Sequence, residues 1–138
     1  MSSLTEQLRG TTWKLESYQS EDKNGNILYP LGEDALGFIN VTPDNRLSVH
    51  IMAKDRNAKI DKEFNTEAER EMAELGYHAY TGPFTLDEKN KTLTTNVELS
   101  LLPSYVGSEQ TRSVRLEGNT LYLSNVKHPE RKLVWKKV

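Results

Sequence analysis

Gln110-Thr-Arg-Ser-Val-Arg-Leu-Glu-Gly118-Asn119-Thr-Leu-Tyr-Leu-Ser124 alternates polar and apolar side chains on either side of a Gly-Asn pair. Two such runs joined by two turn-forming residues predict a tight β-hairpin, because Gly and Asn both accept the positive φ of a two-residue turn. The turn sets the register, with Val114 opposite Leu123 and Leu116 opposite Leu121. Side chains alternate strictly along a strand, so Gln110 and Arg112 share the face of those residues. A last turn centred near His128 adds Leu133 and Trp135. Upstream, the short turn Asp87-Glu-Lys-Asn90 predicts Phe84 opposite Thr94, Tyr80 opposite Glu98 and His78 opposite Ser100. A reversal around Tyr105, over Pro103–Gly107, then pairs Ser100 with Gln110 and Glu98 with Arg112. Tyr80, Glu98, Ser100, Gln110 and Arg112 form a polar row beside apolar neighbours, which reads as the inside of a barrel with one polar end.

The opposite face carries Val97, Leu99 and Leu101, so the Thr66–Leu75 segment or a partner subunit is expected to cover it. A bulge in any turn would flip part of the assignment. In the first strand Trp13, Leu15 and Ser17 alternate with Lys14, Glu16 and Tyr18, and Trp13 and Leu15 are the natural partners that close the barrel. Pro43-Asp-Asn45 predicts a hairpin between Leu36–Thr42 and Leu47–Ala53. Two helices interrupt the strands. Ser3 can cap a short one bearing Leu4 and Leu8. Thr66 and Glu69 form a capping box for a longer one over 66–75, with Ala68, Met72 and Leu75 on one side and Gly76 at the left-handed C-cap. Lys54–Asn65, charged and poor in apolar residues, reads as a loop. The expected fold is all-β, an antiparallel barrel with these two helices, in a single domain over 1–138.

The bulk numbers exclude several function classes. The chain has 138 residues, 36% hydrophobic and 28% charged, with a net charge of −2. No Lys/Arg block precedes the final Lys136-Lys137, so nucleic acid is not an expected partner. There are no cysteines, which removes disulfides, thiolate nucleophiles and cysteine-based metal sites. The N-terminus has no signal-like apolar region and no stretch is long and apolar enough to span a bilayer, so a cytoplasmic monomer or homodimer is expected.

Several side chains could carry chemistry. Glu98 and Arg112 suit either a desolvated pair that moves protons and holds an anionic or carbonyl oxygen, or a structural ion pair. Ser100 and Gln110 would extend the hydrogen-bond row or satisfy each other. His78 beside a carboxylate suits general acid–base work and Tyr80 could donate to a carbonyl, although both could simply be packed and hydrogen-bonded. His50 is a further binding candidate from another strand. His50, His78 and Glu98 lack the short His-x-His spacing of a metal site, so no metal and no cofactor are expected. Trp13 and Trp135 would wall an apolar ligand or fill the core. Glycine-rich phosphate loops, Gly-x-Ser-x-Gly elbows and zinc helices are absent.

Laid out this way, the chain resembles the bacterial and fungal lipocalin-like domain family, a calycin-type barrel. The resemblance rests on Trp13-Lys-Leu-Glu-Ser-Tyr18, Tyr29-Pro-Leu-Gly-Glu-Asp-Ala35, Gly37 through Asp44, and Gly76-Tyr-His-Ala-Tyr-Thr-Gly82. Val97-Glu-Leu-Ser-Leu-Leu-Pro103, Val106-Gly107, Gln110, Arg112 and Leu133-Val-Trp135 complete it. Gly10-Thr-Thr-Trp13 has one residue more than the family's Gly-Thr-Trp. Asn96 stands where histidine is common, and Ser104-Tyr105 where Asn-Trp is common, so chemistry resting on that imidazole or indole is not carried over. The resemblance implies a small-molecule cavity, with some fungal relatives among natural-product biosynthesis proteins. The expected function is binding of a small, largely apolar molecule with one polar or anionic group. The alternatives are a cofactor-free isomerase, cyclase or hydratase acting through Glu98 or His78 on a natural-product-like substrate, and a structural domain whose barrel is filled by its own side chains.

Overall fold

The computed structural model describes residues 3–56 and 66–138; residues 57–65 of the expected Lys54–Asn65 loop lie outside the described residues. The strands are β1 (Thr12–Glu21), β2 (Ile27–Leu28), β3 (Leu36–Val41), β4 (Arg46–Met52), β5 (Tyr77–Asp87), β6 (Thr92–Asn96), β7 (Leu99–Ser100), β8 (Glu109–Glu117), β9 (Thr120–Asn125) and β10 (Lys132–Lys137). Their hydrogen-bonded order runs β10-β9-β8-β6-β5-β4-β3-β1, and β10 pairs back onto β1. The result is a closed eight-stranded antiparallel barrel. Closure places Leu15 opposite Trp135 and Trp13 opposite Lys137. Both tryptophans are fully buried.

The hairpin of β8 and β9 has the expected register, Val114 opposite Leu123 and Leu116 opposite Leu121, with Gly118 at a φ of 58°. Leu133 and Trp135 face Leu123 and Leu121 as the turn around His128 predicts. The Pro43–Asn45 turn joins β3 to β4, and Asn45 takes a positive φ.

The two helices lie at opposite ends of β5. Helix α1 (Leu4–Leu8) is capped by Ser3, whose Oγ accepts from the Glu6 N–H at 3.1 Å, and it buries Leu4 and Leu8. The Leu4 N–H donates to Glu88 in the turn that follows β5, at 2.6 Å. Helix α2 (Glu67–Leu75) leads directly into the start of β5. Thr66 Oγ1 accepts from the Glu69 N–H, and Gly76 closes the helix in the left-handed conformation. Its buried face is Glu69, Met72 and Ala73, whereas Leu75 is exposed. The expected Ala68–Met72–Leu75 face is therefore rotated, because a carboxylate is buried in place of Leu75.

Two bulges change which residues face inward. In β1 the register shifts between Leu15 and Ser17, so Glu16 is an extra residue and Tyr18 and Ser20 point into the barrel in place of Ser17. On the other side, β6 pairs with β5 through Phe84 and Thr95, but β7 pairs through Tyr80 and Ser100, one residue out of step. Two features of the turns account for the expected register failing. Lys91 adopts a φ of 54° and lengthens the turn after Asp87 by one residue. Residues 98–107 then loop out, because Val97 exchanges hydrogen bonds with Ser108 and Gly107. As a result Leu93 faces Arg112 and Thr95 faces Gln110, five residues from the expected pairing. Val97 is buried, Glu98 points outward, and Leu99 and Leu101 stay exposed, uncovered by α2.

Gly82 makes the second bulge possible. A Cβ there would stand 1.9 Å from the Asn96 carbonyl oxygen, so only glycine lets the chain cross β5 at that distance. Gly82→Ala is expected to destabilise the protein by about 2 kcal/mol or more, as overpacking against backbone does. Thermal or urea unfolding measures this, and a near-native midpoint would refute the crossing geometry.

Candidate functional site

The interior opens into a cavity with about 50 Å³ of room for water-sized spheres. Its lower walls are apolar, from residues such as Ile39, Leu47 and Val49. Its upper part is polar, beneath α2. There the pairing places Leu93, Arg112, Asn125 and Arg131 along one lateral row. Tyr18, His78, Tyr80 and Tyr105 complete the polar end, and Met72 of α2 reaches into it from above.

Four of the residues singled out from the sequence meet in this cavity: His78, Tyr80, Arg112 and Trp135. The His78 ring lies 5.4 Å from that of Tyr80 and 5.1 Å from that of Tyr105, in the latter case edge-on. Gln110 supports Arg112: its Oε1 accepts from Nη2 at 3.3 Å, while its own amide donates to Ser108 Oγ at 2.9 Å. Ser100 faces Tyr80 in the ladder, but its hydroxyl donates to the Ala79 carbonyl and accepts from the Leu102 N–H, so it shapes the turn. Trp13 is buried outside the cavity lining, with Nε1 donating to Thr11 Oγ1 at 2.8 Å.

Two residues lie elsewhere. Glu98 is on the outer surface and pairs with Arg46, not with Arg112. His50 is exposed, with Nδ1 2.9 Å from the Tyr77 hydroxyl. Strand pleating is the reason: His50 faces Ala79 and Ile51 faces His78, so the two histidines stand on opposite faces of one sheet. They cannot share a ligand with Glu98.

Sequence reasoning missed Tyr18, Glu69 and Arg131. Glu69 is fully buried, and its Oε1 accepts from Arg131 Nε at 2.9 Å and from Nη2 at 2.5 Å. Its Oε2 accepts from Ser20 Oγ at 3.0 Å, and Arg131 also donates to Thr66 Oγ1 at 2.8 Å. Both carboxylate oxygens and the guanidinium edge are thus used in pinning α2 across the barrel mouth. A glutamate three residues into a helix signals a capping box, and nothing local announces that its side chain turns inward. Tyr18 was hidden by the bulge at Glu16.

Burial shapes the electrostatics. Desolvation, helped by the Arg112 charge, pushes the His78 imidazole down to about 3, so it is neutral at physiological pH. Its Nδ1 has no hydrogen-bond partner among the described residues, and neither has Trp135 Nε1. Burial raises Tyr18 and Tyr80 above the ordinary tyrosine range, and Arg112 partly offsets this for both. Arg112 donates to the Thr111 carbonyl and to Gln110 and lies within hydrogen-bonding reach of the Tyr80 hydroxyl, with no carboxylate partner among the described residues.

The sequence profile described as a lipocalin-like domain matches residues 10–138. The chain belongs to the lipocalin-like domain family. A family relative from Aspergillus oryzae, named as a 4'-hydroxy-3'-methoxypropiophenone carrier protein, is 32% identical over 91 residues, covering 60% of this chain and 81% of its own. A solved structure of an uncharacterised Bacteroides eggerthii protein aligns over 95% of this chain and 99% of its own, with 14% identity and a TM-score of 0.49. The lipocalin-like barrel and the carrier relative support small-molecule binding in general. No helix among the described residues is long and apolar enough to cross a membrane.

Two outcomes follow for stability. Arg131→Met leaves Glu69 buried and unpaired, at a cost of about 3–5 kcal/mol. Adding Glu69→Leu should recover most of that in urea unfolding. For His78, the unfolded imidazole takes a proton near its ordinary 6.5, and the folded one resists until about 3. Stability therefore falls as pH drops from about 6.5 toward 3 and is flat with respect to this group above that window. In His78→Gln that part of the acid slope should vanish, as read from unfolding free energies at several pH values.

Proposed function

We propose that the barrel binds one small, largely apolar molecule, with its apolar body between Trp135 and the aliphatic walls and its polar end at Arg112, His78 and Tyr80. The unpartnered polar atoms carry this reading. A barrel filled for stability alone would pair Trp135 Nε1 and His78 Nδ1, because an unsatisfied buried group costs about 1–3 kcal/mol. The polar end of a ligand would meet His78 and Arg112, and Trp135 Nε1 would serve a second polar atom further along its body. The cargo in the name of the Aspergillus oryzae relative, an aromatic ketone with hydroxyl and methoxy groups, has this character.

The enzymatic alternative loses its proton-moving groups. Glu98 stands outside the barrel, and His78, at about 3, is too weak a base to work at neutral pH.

The cavity has room for only a few waters, so a ligand of this class needs a lining side chain to move aside, and Met72 is the one we assign to that role. An unbranched thioether is suited to that, since it repacks at little cost. Met72→Ala is expected to lower stability by about 2–5 kcal/mol. It should also enlarge the thermal shift produced by aryl ketones.

The decisive experiment is native mass spectrometry of protein purified from its own host, followed by extraction of anything bound. A stoichiometric small molecule, lost in Arg112→Met, is the expected result. A clean apo spectrum, with no member of a panel of aromatic ketones, lipids and polyketides shifting the melting temperature, would overturn the reading in favour of a filled barrel.

A further inference from the structure

The polar end of the cavity holds two guanidiniums, which only donate, among neutral side chains that can both donate and accept. Arg112 and Arg131 lie on one lateral row, and only one of them is neutralised. Glu69 descends from α2 onto Arg131 and spends both oxygens there and on Ser20. No aspartate or glutamate is among the described residues that line the cavity. Apart from the Glu69-paired Arg131, the polar groups that line the cavity with Arg112 are uncharged: His78 and Tyr80 from β5, Tyr105 from the Pro103–Gly107 reversal, Tyr18 from β1 and Asn125 from β9. The guanidinium is held in place by the Thr111 carbonyl and Gln110, both neutral acceptors. Arg112 is partly buried, so water still reaches its charge, and a ligand that fills the cavity and displaces that water would leave the guanidinium uncompensated unless the ligand brings a negative charge.

We propose that the cavity takes its ligand as an organic anion, the conjugate base of an acidic phenol or enol, with the charged oxygen on the Arg112 guanidinium and the neighbouring tyrosine hydroxyls. This rests on the small-molecule reading above and adds the charge state to it. A delocalised anion suits the site better than a compact one. Its charge spreads over an apolar ring that the aliphatic walls accept, and guanidinium is itself weakly hydrated and planar. The acid loses its proton to solvent buffer on binding, since no group lining the cavity is placed to keep it: the arginines are already protonated and the His78 imidazole remains neutral.

The test uses the full chain and a pair of probes, 4-hydroxyacetophenone and 4-methoxyacetophenone, which differ by a methyl group on the para oxygen, so that only the first can ionise. The expected result is a phenolate absorption band from the bound hydroxy compound at a pH where it is neutral in solution. Calorimetry in buffers of different ionisation enthalpy should record net proton release. The methoxy compound should bind at least about tenfold more weakly, which corresponds to a bound phenol whose pKa lies about one unit below the working pH. Arg112→Met should lose the band and Arg112→Lys regain part of it. Because the band is read on the unaltered protein, the result does not depend on those variants folding. Equal binding of both probes with no phenolate band overturns the anion proposal and leaves the small-molecule reading standing. Failure of both probes to bind overturns the anion proposal and counts against aryl ketone binding as well.

Discussion

The Glu69–Arg131 ion pair is where the helix, the barrel mouth and the charge of the interior are settled together. Burying two ions costs several kcal/mol each, and their mutual attraction offsets this only where the geometry is good and the remaining lone pairs are filled. Here Ser20 and Thr66 supply the additional hydrogen bonds. An apolar contact of the same volume could hold α2 as tightly, so the worth of the pair lies in what it specifies. It fixes the rotation of α2, which brings Met72 over the cavity, and it cancels the Arg131 charge. What remains uncancelled is Arg112. The seat of α2 and the charge balance of the cavity thus depend on the same carboxylate.

How much of this was legible in the sequence follows from how local each determinant is. The Gly118-Asn119 turn allows one geometry and so set the β8–β9 register, from which the inward faces of Gln110, Arg112 and Val114 followed, and the turn near His128 added Trp135. Capping residues sit within four positions of what they cap, and both helices were readable at Ser3 and Thr66. Bulges carry no comparable mark. The extra residue at Glu16 reversed Tyr18, and the left-handed Lys91 shifted the next ladder by one. The excursion over residues 98–107 shifted the β6–β8 pairing by five, which separated Glu98 from Arg112. Arg112 kept its inward face despite that error, because its orientation came from the hairpin on its other side. Glu69 was readable as a cap and unreadable as a buried ion, since its partner lies 62 residues away.

The neutral imidazole has a place in the same balance. Had His78 been protonated, two cations would share the polar end, and the anion they attracted would meet a more hydrated, more costly site. Desolvation and the nearby guanidinium instead hold the ring neutral, so the cavity presents a single positive charge framed by aromatic edges and hydroxyls. A single charge in apolar surroundings discriminates more sharply than the same charge in water, because its interaction with a ligand is less screened while the cost of leaving it alone is higher. On the proposed reading, selectivity would rest on the absence of competing charges as much as on Arg112 itself. Both bulges shape that lining: one carries Glu98 out of the barrel, and the other turns Tyr18 in.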